Sequence, residues 1–266
     1  MTPLKGALAP LLNEETEFTV ELHPLDATPA KLDELKSIGV NRISMGVQSL
    51  DDDILRAMGR GYTASDAVRA FALVKSRFDN AGIDLIIGYP GDSINWLDFL
   101  RNWGLAHCSA YSLQNERGLK DVPDDDIVLD RIRAVAAFLK TLGLERYEIS
   151  NYARPGFECR HNFAVWRGED YIGLGEGAYG REGLKRTRGT KGGYETSEVS
   201  PAEDIKERTL FRLRTRDGID ISRFPEWQPT LDRFINEGLL VKVSESVYRL
   251  TERGTEVCDA IIEELV

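Results

Sequence analysis

A chain of 266 residues has room for one large domain, or for a domain with a smaller companion. Its 42% hydrophobic and 29% charged residues predict a soluble globular protein. The formal net charge of −10 argues against broad binding to nucleic acid or to an anionic membrane surface, and no apolar run approaches the roughly 20 residues of a membrane-spanning helix. Cys108, Cys159 and Cys258 are too dispersed for a disulfide framework or a paired metal motif. The first residues, "MTPLKGALAPLLNEETEF", lack the long apolar core of a secretory signal, so a cytoplasmic location is expected.

Residues 17 to 113 repeat a short β-branched run, a turn and a helix-length segment with apolar residues at helical spacing. "EFTVEL" reads as a strand. "TPAKLDELKSIG" reads as a helix with Thr28 as N-cap, Pro29 at its first position and Gly39 after its end. "RISMGV" is the next strand, followed by a short helix in "DDDILRAM" and a longer one in "TASDAVRAFALVKSRF", where Thr63 and Asp66 are spaced as a capping box. Strand "IDLIIGYP", helix "SINWLDFLRNWG" and strand "SAYSL" come next, then a long amphipathic helix from Asp124 to Leu142 that leads into "RYEIS". Strands apolar on both faces predict a parallel sheet covered by helices, as a barrel or a doubly wound layer.

The basic stretch "REGLKRTRGTKGG", residues 181 to 193, reads as a solvated hairpin. From residue 200 the pattern changes. Ser200 and Pro201 open a helix, a second lies near 228 to 237, "LLVKVSESVYRL" is a hairpin, and Thr251 caps a final helix. Helices followed by a two-stranded wing predict a small winged-helix-like domain. Its acidic helices favour a packing or lid role over DNA binding.

Four polar residues fall at strands or at the loops after them, where an α/β layer places functional groups: Glu21, Gln48, Arg60 and Asp84. Asp84, inside "GIDLIIGYP", is costly to bury without a partner or a ligand. Backbone donors or an arginine would satisfy it alone. Grouped at one mouth, the four suit a ligand carrying hydroxyls, a carboxylate and an amine. In "CRHNFAVWRGEDYIGLGEGAYG", residues 159 to 180, His161 is followed by Trp166 and a glycine-rich run. On the residues alone it reads as a capped or hydrogen-bonded loop histidine.

The ordered segments "TVELHP", "GVNRISMGVQSLDDDILRAMGRG", "IDLIIGYPGDS", "HCSAYSL", "RYEISNYARPGFECRHNFAVWRGEDYIGLGEGAYG" and "LFRLRTRDGID" to "YRLTERGTEVCDAII" resemble radical S-adenosylmethionine proteins related to oxygen-independent coproporphyrinogen III oxidase, nearest to the HemW-type heme chaperones. The resemblance implies S-adenosylmethionine binding by Glu21, Gln48, Arg60 and Asp84. It also implies heme contact by His161, Asn162 and Trp166, with His161 on the iron; Val165 stands where the family motif usually has tyrosine. The family's 4Fe-4S cluster is held by a CxxxCxxC motif that this sequence lacks, so no iron-sulfur ligands and no radical chemistry are expected here. The similarity begins inside what would be the helix before the family's third strand. The expected fold is therefore an α/β partial radical SAM barrel with "EFTVEL" as an edge strand.

Three regions are expected: partial barrel 1–150; connecting segment 151–198 with the histidine motif and a hairpin; and winged-helix-like domain 199–266. The implied function is a heme chaperone that passes heme to an acceptor protein, with membrane contact only through that acceptor. The alternatives are a coproporphyrinogen oxidase, which converts propionates to vinyls, and a cluster-free module binding heme or a partner.

Overall fold

In the first half of the chain, strands alternate with helices whose ends are written into the sequence. The computed structural model describes residues 6–115 and 118–266. It divides into two units, Met1–Arg146 with Ser150–Glu158, and Tyr147–Ile149 with Cys159–Val266. The expected connecting segment is thereby split, 151–158 going with the first unit and 159–198 with the second.

The first unit runs β1 (Thr19–Leu22), α1 (Pro29–Ser37), β2 (Arg42–Gln48), α2 (Asp52–Ala57), α3 (Ala64–Lys75), β3 (Asn80–Ile87), β4 (His107–Ser112), α4 (Asp125–Thr141), β5 (Glu145–Arg146) and β6 (Asn151–Ala153). Thr28 starts α1 by accepting the Lys31 amide at 3.3 Å. Thr63 and Asp66 form the reciprocal capping box that starts α3.

The strands form one sheet in the order β1-β2-β3-β4-β6-β5, with β1 at one end. β1 to β4 are parallel, as the sequence predicts. The short β6 and β5 are antiparallel, so the sheet is mixed. A second departure concerns "SINWLDFLRNWG", expected as an α-helix, which forms only a 3-10 helix at Leu97–Asn102. Ile94 stands at φ 52°, which an α-helix cannot contain. Asp92 accepts the Ile94 amide at 3.1 Å and the Trp96 indole N–H at 3.3 Å, fixing an irregular turn there instead.

The expectation that the strands are apolar on both faces is corrected more fundamentally. One face carries Ile43, Met45, Val47, Ala81, Ile83, Leu85 and Ile87, all fully buried in a core with Leu32 and Leu35 of α1, Phe71 and Val74 of α3, and Leu139 of α4. Each of the larger side chains contributes about 2 kcal/mol by leaving water. Strand alternation turns the remaining residues to the opposite face, and those residues are mostly polar or glycine. Across the register lie Thr19 beside Arg42 beside Asn80, then Glu21 beside Ser44 beside Gly82 beside His107, then Gly46 beside Asp84 beside Ser109 beside Asn151.

The second unit contains α5 (Arg160–Trp166), β7 (Tyr179–Glu182), β8 (Lys185–Thr190), β9 (Gly193–Glu198), α6 (Pro201–Arg212), β10 (Ile219–Asp220), α7 (Gln228–Asn236), β11 (Leu240–Lys242), β12 (Val247–Leu250), α8 (Glu252–Glu256) and α9 (Cys258–Glu263). β7 to β9 form an antiparallel meander, and β10, β12 and β11 form a second small sheet. The predicted α6 and α7, the β11–β12 hairpin and the Thr251 cap are all present. Leu210, Leu213, Ile219, Leu231, Phe234, Tyr248 and Ile261 form their core.

The basic stretch is a hairpin extended by a third strand, and it is not wholly solvated. Arg181 is 2% exposed, with Nη2 2.6 Å from Glu207. Arg186 Nη2 lies 2.7 Å from Asp204 and 2.6 Å from Glu207. Arg208 Nε reaches Asp204 at 2.7 Å. Asp204, Glu207 and Arg208 fall three and four residues apart on α6, which gives that helix one charged face complementary to the arginines of the meander.

Candidate functional site

The polar face of the first unit is built from the strands upward. Asp84 sits at the centre, between Gly46 of β2 and Ser109 of β4 in register. The Ser44 hydroxyl donates to its Oδ1 at 2.9 Å, and Ser109 stands beside Asp84 in register on β4. Burial raises the Asp84 pKa above the ordinary carboxylate value. The two serines oppose that shift, the nearby Glu21 charge adds to it, and Arg42 opposes it. Glu21 and Asp84, expected at one mouth, are within electrostatic reach of each other.

Gln48 closes β2 in an unusual conformation. Its φ is 64°, and the β2–β3 register slips between Gly46 and Gln48, the mark of a β-bulge. Its side chain folds back over Gly46. A Cβ at that glycine would lie 2.8 Å from Gln48 Nε2, so a side chain there would push the amide away from its place beside Asp84. The Tyr62 hydroxyl props the bulge, donating toward the carbonyls of Gly46 at 2.9 Å and Val47 at 3.0 Å. Burial raises the pKa of this phenol, and the charge of Arg60 opposes the shift. Arg60 is thus within electrostatic reach of Tyr62. Glu21, Gln48 and Asp84 share the polar face, and Arg60 lies in the turn after α2.

Sequence reading missed Ser44, Tyr62, Arg42, His107 and Ser109. Arg42 is 3% exposed, its Nε has no hydrogen-bond partner among the described residues, and Nη1 reaches only Thr19 Oγ1 at 3.5 Å. His107 is 1% exposed, and burial, reinforced by Arg42, pushes its pKa down to about 3, so it is neutral at physiological pH. The signal was the alternation itself: every second residue of "RIS" and "HCS" is polar inside an otherwise apolar run.

In the second unit His161 lies on helix α5 and not in a loop, because Arg160–Trp166 completes nearly two helical turns. The His161 ring is exposed and meets Tyr171 edge-on at 6.1 Å. Asn162 is half-buried beside it. Trp166 turns elsewhere, packing edge-on against Phe211 at 5.9 Å beneath the Arg214 guanidinium at 5.1 Å. Five residues on a helix place two side chains roughly 140° apart, so the structure does not bring His161 and Trp166 onto one face. The glycine-rich run after them is tightly folded. A Cβ at Gly173 would lie 2.1 Å from the Tyr179 carbonyl oxygen, and one at Gly189 only 1.7 Å from that of Gly175.

The three thiols do not fit a metal cluster. Cys108 is on the helix-covered face of β4, Cys159 precedes α5 and Cys258 begins α9; all are buried. Burial drives the Cys258 thiol up to about 12 and also raises Cys108 strongly, so neither supplies a thiolate readily. Among the described residues no helix is long and apolar enough to cross a membrane.

Residues 4–103, which include Glu21, Gln48, Arg60 and Asp84, match the Radical SAM superfamily. The heme chaperone HemW of Bacillus subtilis (strain 168) is 32% identical over 94% of this chain and 77% of its own length. The protein of that name from Mycobacterium tuberculosis (strain CDC 1551 / Oshkosh) is 28% identical over 96% and 73%. A mouse mitochondrial protein, radical S-adenosyl methionine domain-containing protein 1, is 33% identical over 80% of this chain and 51% of its own. Among solved structures, coproporphyrinogen III oxidase (HemN) from Escherichia coli superposes with a TM-score of 0.82 at 20% identity, covering 99% of this chain and 73% of that one, a likeness of fold. With about a third of its residues identical to the Bacillus subtilis protein over most of both chains, this chain belongs to the HemW-like family of the radical SAM superfamily.

Proposed function

We propose that the first unit binds S-adenosylmethionine on its polar face and that the second binds heme at His161 for transfer to an acceptor protein. The observation that carries the first half is the convergence of Glu21, Gln48 and Asp84 on one strand face, with Arg60 in the turn after α2. The residues fit the cofactor. Two carboxylates can accept from its amine and ribose hydroxyls, the Gln48 amide can both donate and accept, and a guanidinium suits its carboxylate. S-adenosylmethionine, when bound, supplies an activated methionine sulfonium. The three cysteines, buried in separate elements, do not fit a cluster, and no radical step is assigned to these residues. Partial barrel, winged-helix-like tail and cytoplasmic location belong to the same reading.

Heme is the cargo in this proposal. His161 is favoured as its ligand because the other histidines are committed: His107 is buried, and His23 accepts the Leu25 amide at 3.3 Å and packs against Tyr62. Cys159, the nearest competing ligand, is also buried. Tyr171 replaces Trp166 as the aromatic neighbour of the iron-binding ring. Titration of heme into the full chain tests this: His161→Ala abolishes the Soret band shift, while Cys159→Ala and His107→Ala preserve it. Loss only in Cys159→Ala would overturn the assignment. Calorimetry with S-adenosylmethionine tests the first unit, where Asp84→Asn weakens binding at least tenfold (about 1.4 kcal/mol).

The cluster-free binding module is the second reading, favoured by the burial of all three thiols in separate elements. Assay of porphyrinogen decarboxylation separates both readings from an oxidase.

A further inference from the structure

We propose that Ser44 and Ser109 are positioning residues for the cofactor site, two hydroxyls that hold the Asp84 carboxylate from the strands on either side of β3 and present its free lone pairs to the ligand. The inference rests on the reading of this face as the S-adenosylmethionine site and goes further by assigning what orients its central anion.

The geometry is specific. Ser44 comes from β2 and Ser109 from β4, and both strands are hydrogen-bonded to β3. Ser109 is in register with Asp84, while Ser44 reaches it on the diagonal, Oγ to Oδ1 at 2.9 Å. Donors on both flanks remove the rotational freedom that a lone aspartate has about χ2. A carboxylate has about four acceptor positions. Ser44 takes one, Ser109 stands in register to take a second, and the others are left for a ligand. Both serines are buried within strands whose alternate residues form the apolar core, where an unpaired hydroxyl is costly. Glycine on the same face keeps the neighbouring space clear: a Cβ at Gly82 would lie 2.9 Å from the His107 Cβ.

The charged and titratable groups around Asp84 are Glu21 from β1, Arg42 from β2, and His107 and Cys108 from β4, the last on the opposite face. His107 is neutral and Cys108 protonated, so neither compensates the carboxylate. Burial and Glu21 favour the protonated acid, whereas the hydroxyls and Arg42 favour the anion. Asp84 is thus a group whose charge depends on the two serines. Without them it protonates at higher pH and loses the acceptor that a ligand amine or hydroxyl requires.

The test uses the full chain with Ser44→Ala, Ser109→Ala and the double variant, each checked for an unchanged fold by circular dichroism and thermal melting. Side-chain carboxyl 13C resonances follow the titration of Asp84, assigned by its disappearance in Asp84→Asn, and calorimetry measures S-adenosylmethionine affinity from pH 5 to 9. Each alanine moves the Asp84 midpoint upward, and affinity at pH 7 falls roughly tenfold per hydroxyl removed. The pH at which affinity rises follows the midpoint, and Ser44→Thr, which keeps the hydroxyl, restores both. An Asp84 midpoint unchanged in the folded double variant overturns the proposal, as does a shifted midpoint with unchanged affinity. If the unaltered chain binds no S-adenosylmethionine at any pH, the cofactor reading fails by itself, and the carboxyl titration still decides whether the serines hold Asp84.

Discussion

At Gln48 function and stability should separate, because the residue occupies a backbone conformation that its side chain disfavours. Its φ of 64° lies in the left-handed region, where a residue with a Cβ pays roughly 1–2 kcal/mol relative to the right-handed one. The bulge between Gly46 and Gln48 and the Tyr62 hydroxyl on two successive carbonyls hold it there. Gln48→Gly removes the penalty, and Gln48→Ala keeps it. Glycine's greater freedom in the unfolded chain cancels about 0.5–1 kcal/mol of that gain, so the glycine variant is expected to exceed the alanine variant by about 0.5–1 kcal/mol. For a chain of this size that is roughly 2 °C in Tm. At an ordinary strand position the order is reversed, which makes the sign diagnostic. Parallel urea and thermal denaturation of the two variants measures it, with S-adenosylmethionine binding expected to weaken equally in both. An alanine variant as stable as the glycine variant, or more so, would refute the claim that tertiary contacts enforce the left-handed residue.

Three further outcomes follow from the packing. His107 is buried neutral with its pKa depressed to about 3, so its contribution to stability is complete above the unfolded value near 6.5 and is lost as pH falls below it, by about 1.4 kcal/mol per pH unit. Urea titrations between pH 7 and 4.5 should show that slope, and His107→Asn should flatten it. Asp204→Ala strips the carboxylate shared by Arg186 and Arg208, which keep Glu207 and Asp170 as partners, and should cost about 1–3 kcal/mol, read as a lower denaturation midpoint for the second unit. Gly189→Ala would drive a Cβ into the Gly175 carbonyl oxygen, and a destabilisation of about 2–3 kcal/mol, with faster amide exchange at Gly177 and Gly189, is expected.

By itself the sequence determined what is local. Thr28, the Thr63–Asp66 pair, Ser200 and Thr251 start helices where their spacing predicted, because an N-cap needs only one side chain and the next few amides. Apolar runs placed β1 to β4, and Asp84 stood out because a carboxylate in such a run demands a partner. Which partner was not legible, since Ser44 and Ser109 lie 40 and 25 residues away in sequence and meet Asp84 only through strand register. A polar residue at every second position was visible in the strands, but its meaning required knowing that β1 to β4 stack those positions on one face. The same holds for α5. The sequence placed His161 and Trp166 five residues apart, and only the helix, with Phe211 and Tyr171 drawn to opposite sides of it, decided that the two rings face apart. Arg181 and Arg186 read as a solvated hairpin for a like reason: the carboxylates that pair with them sit on α6, beyond the reach of any local pattern.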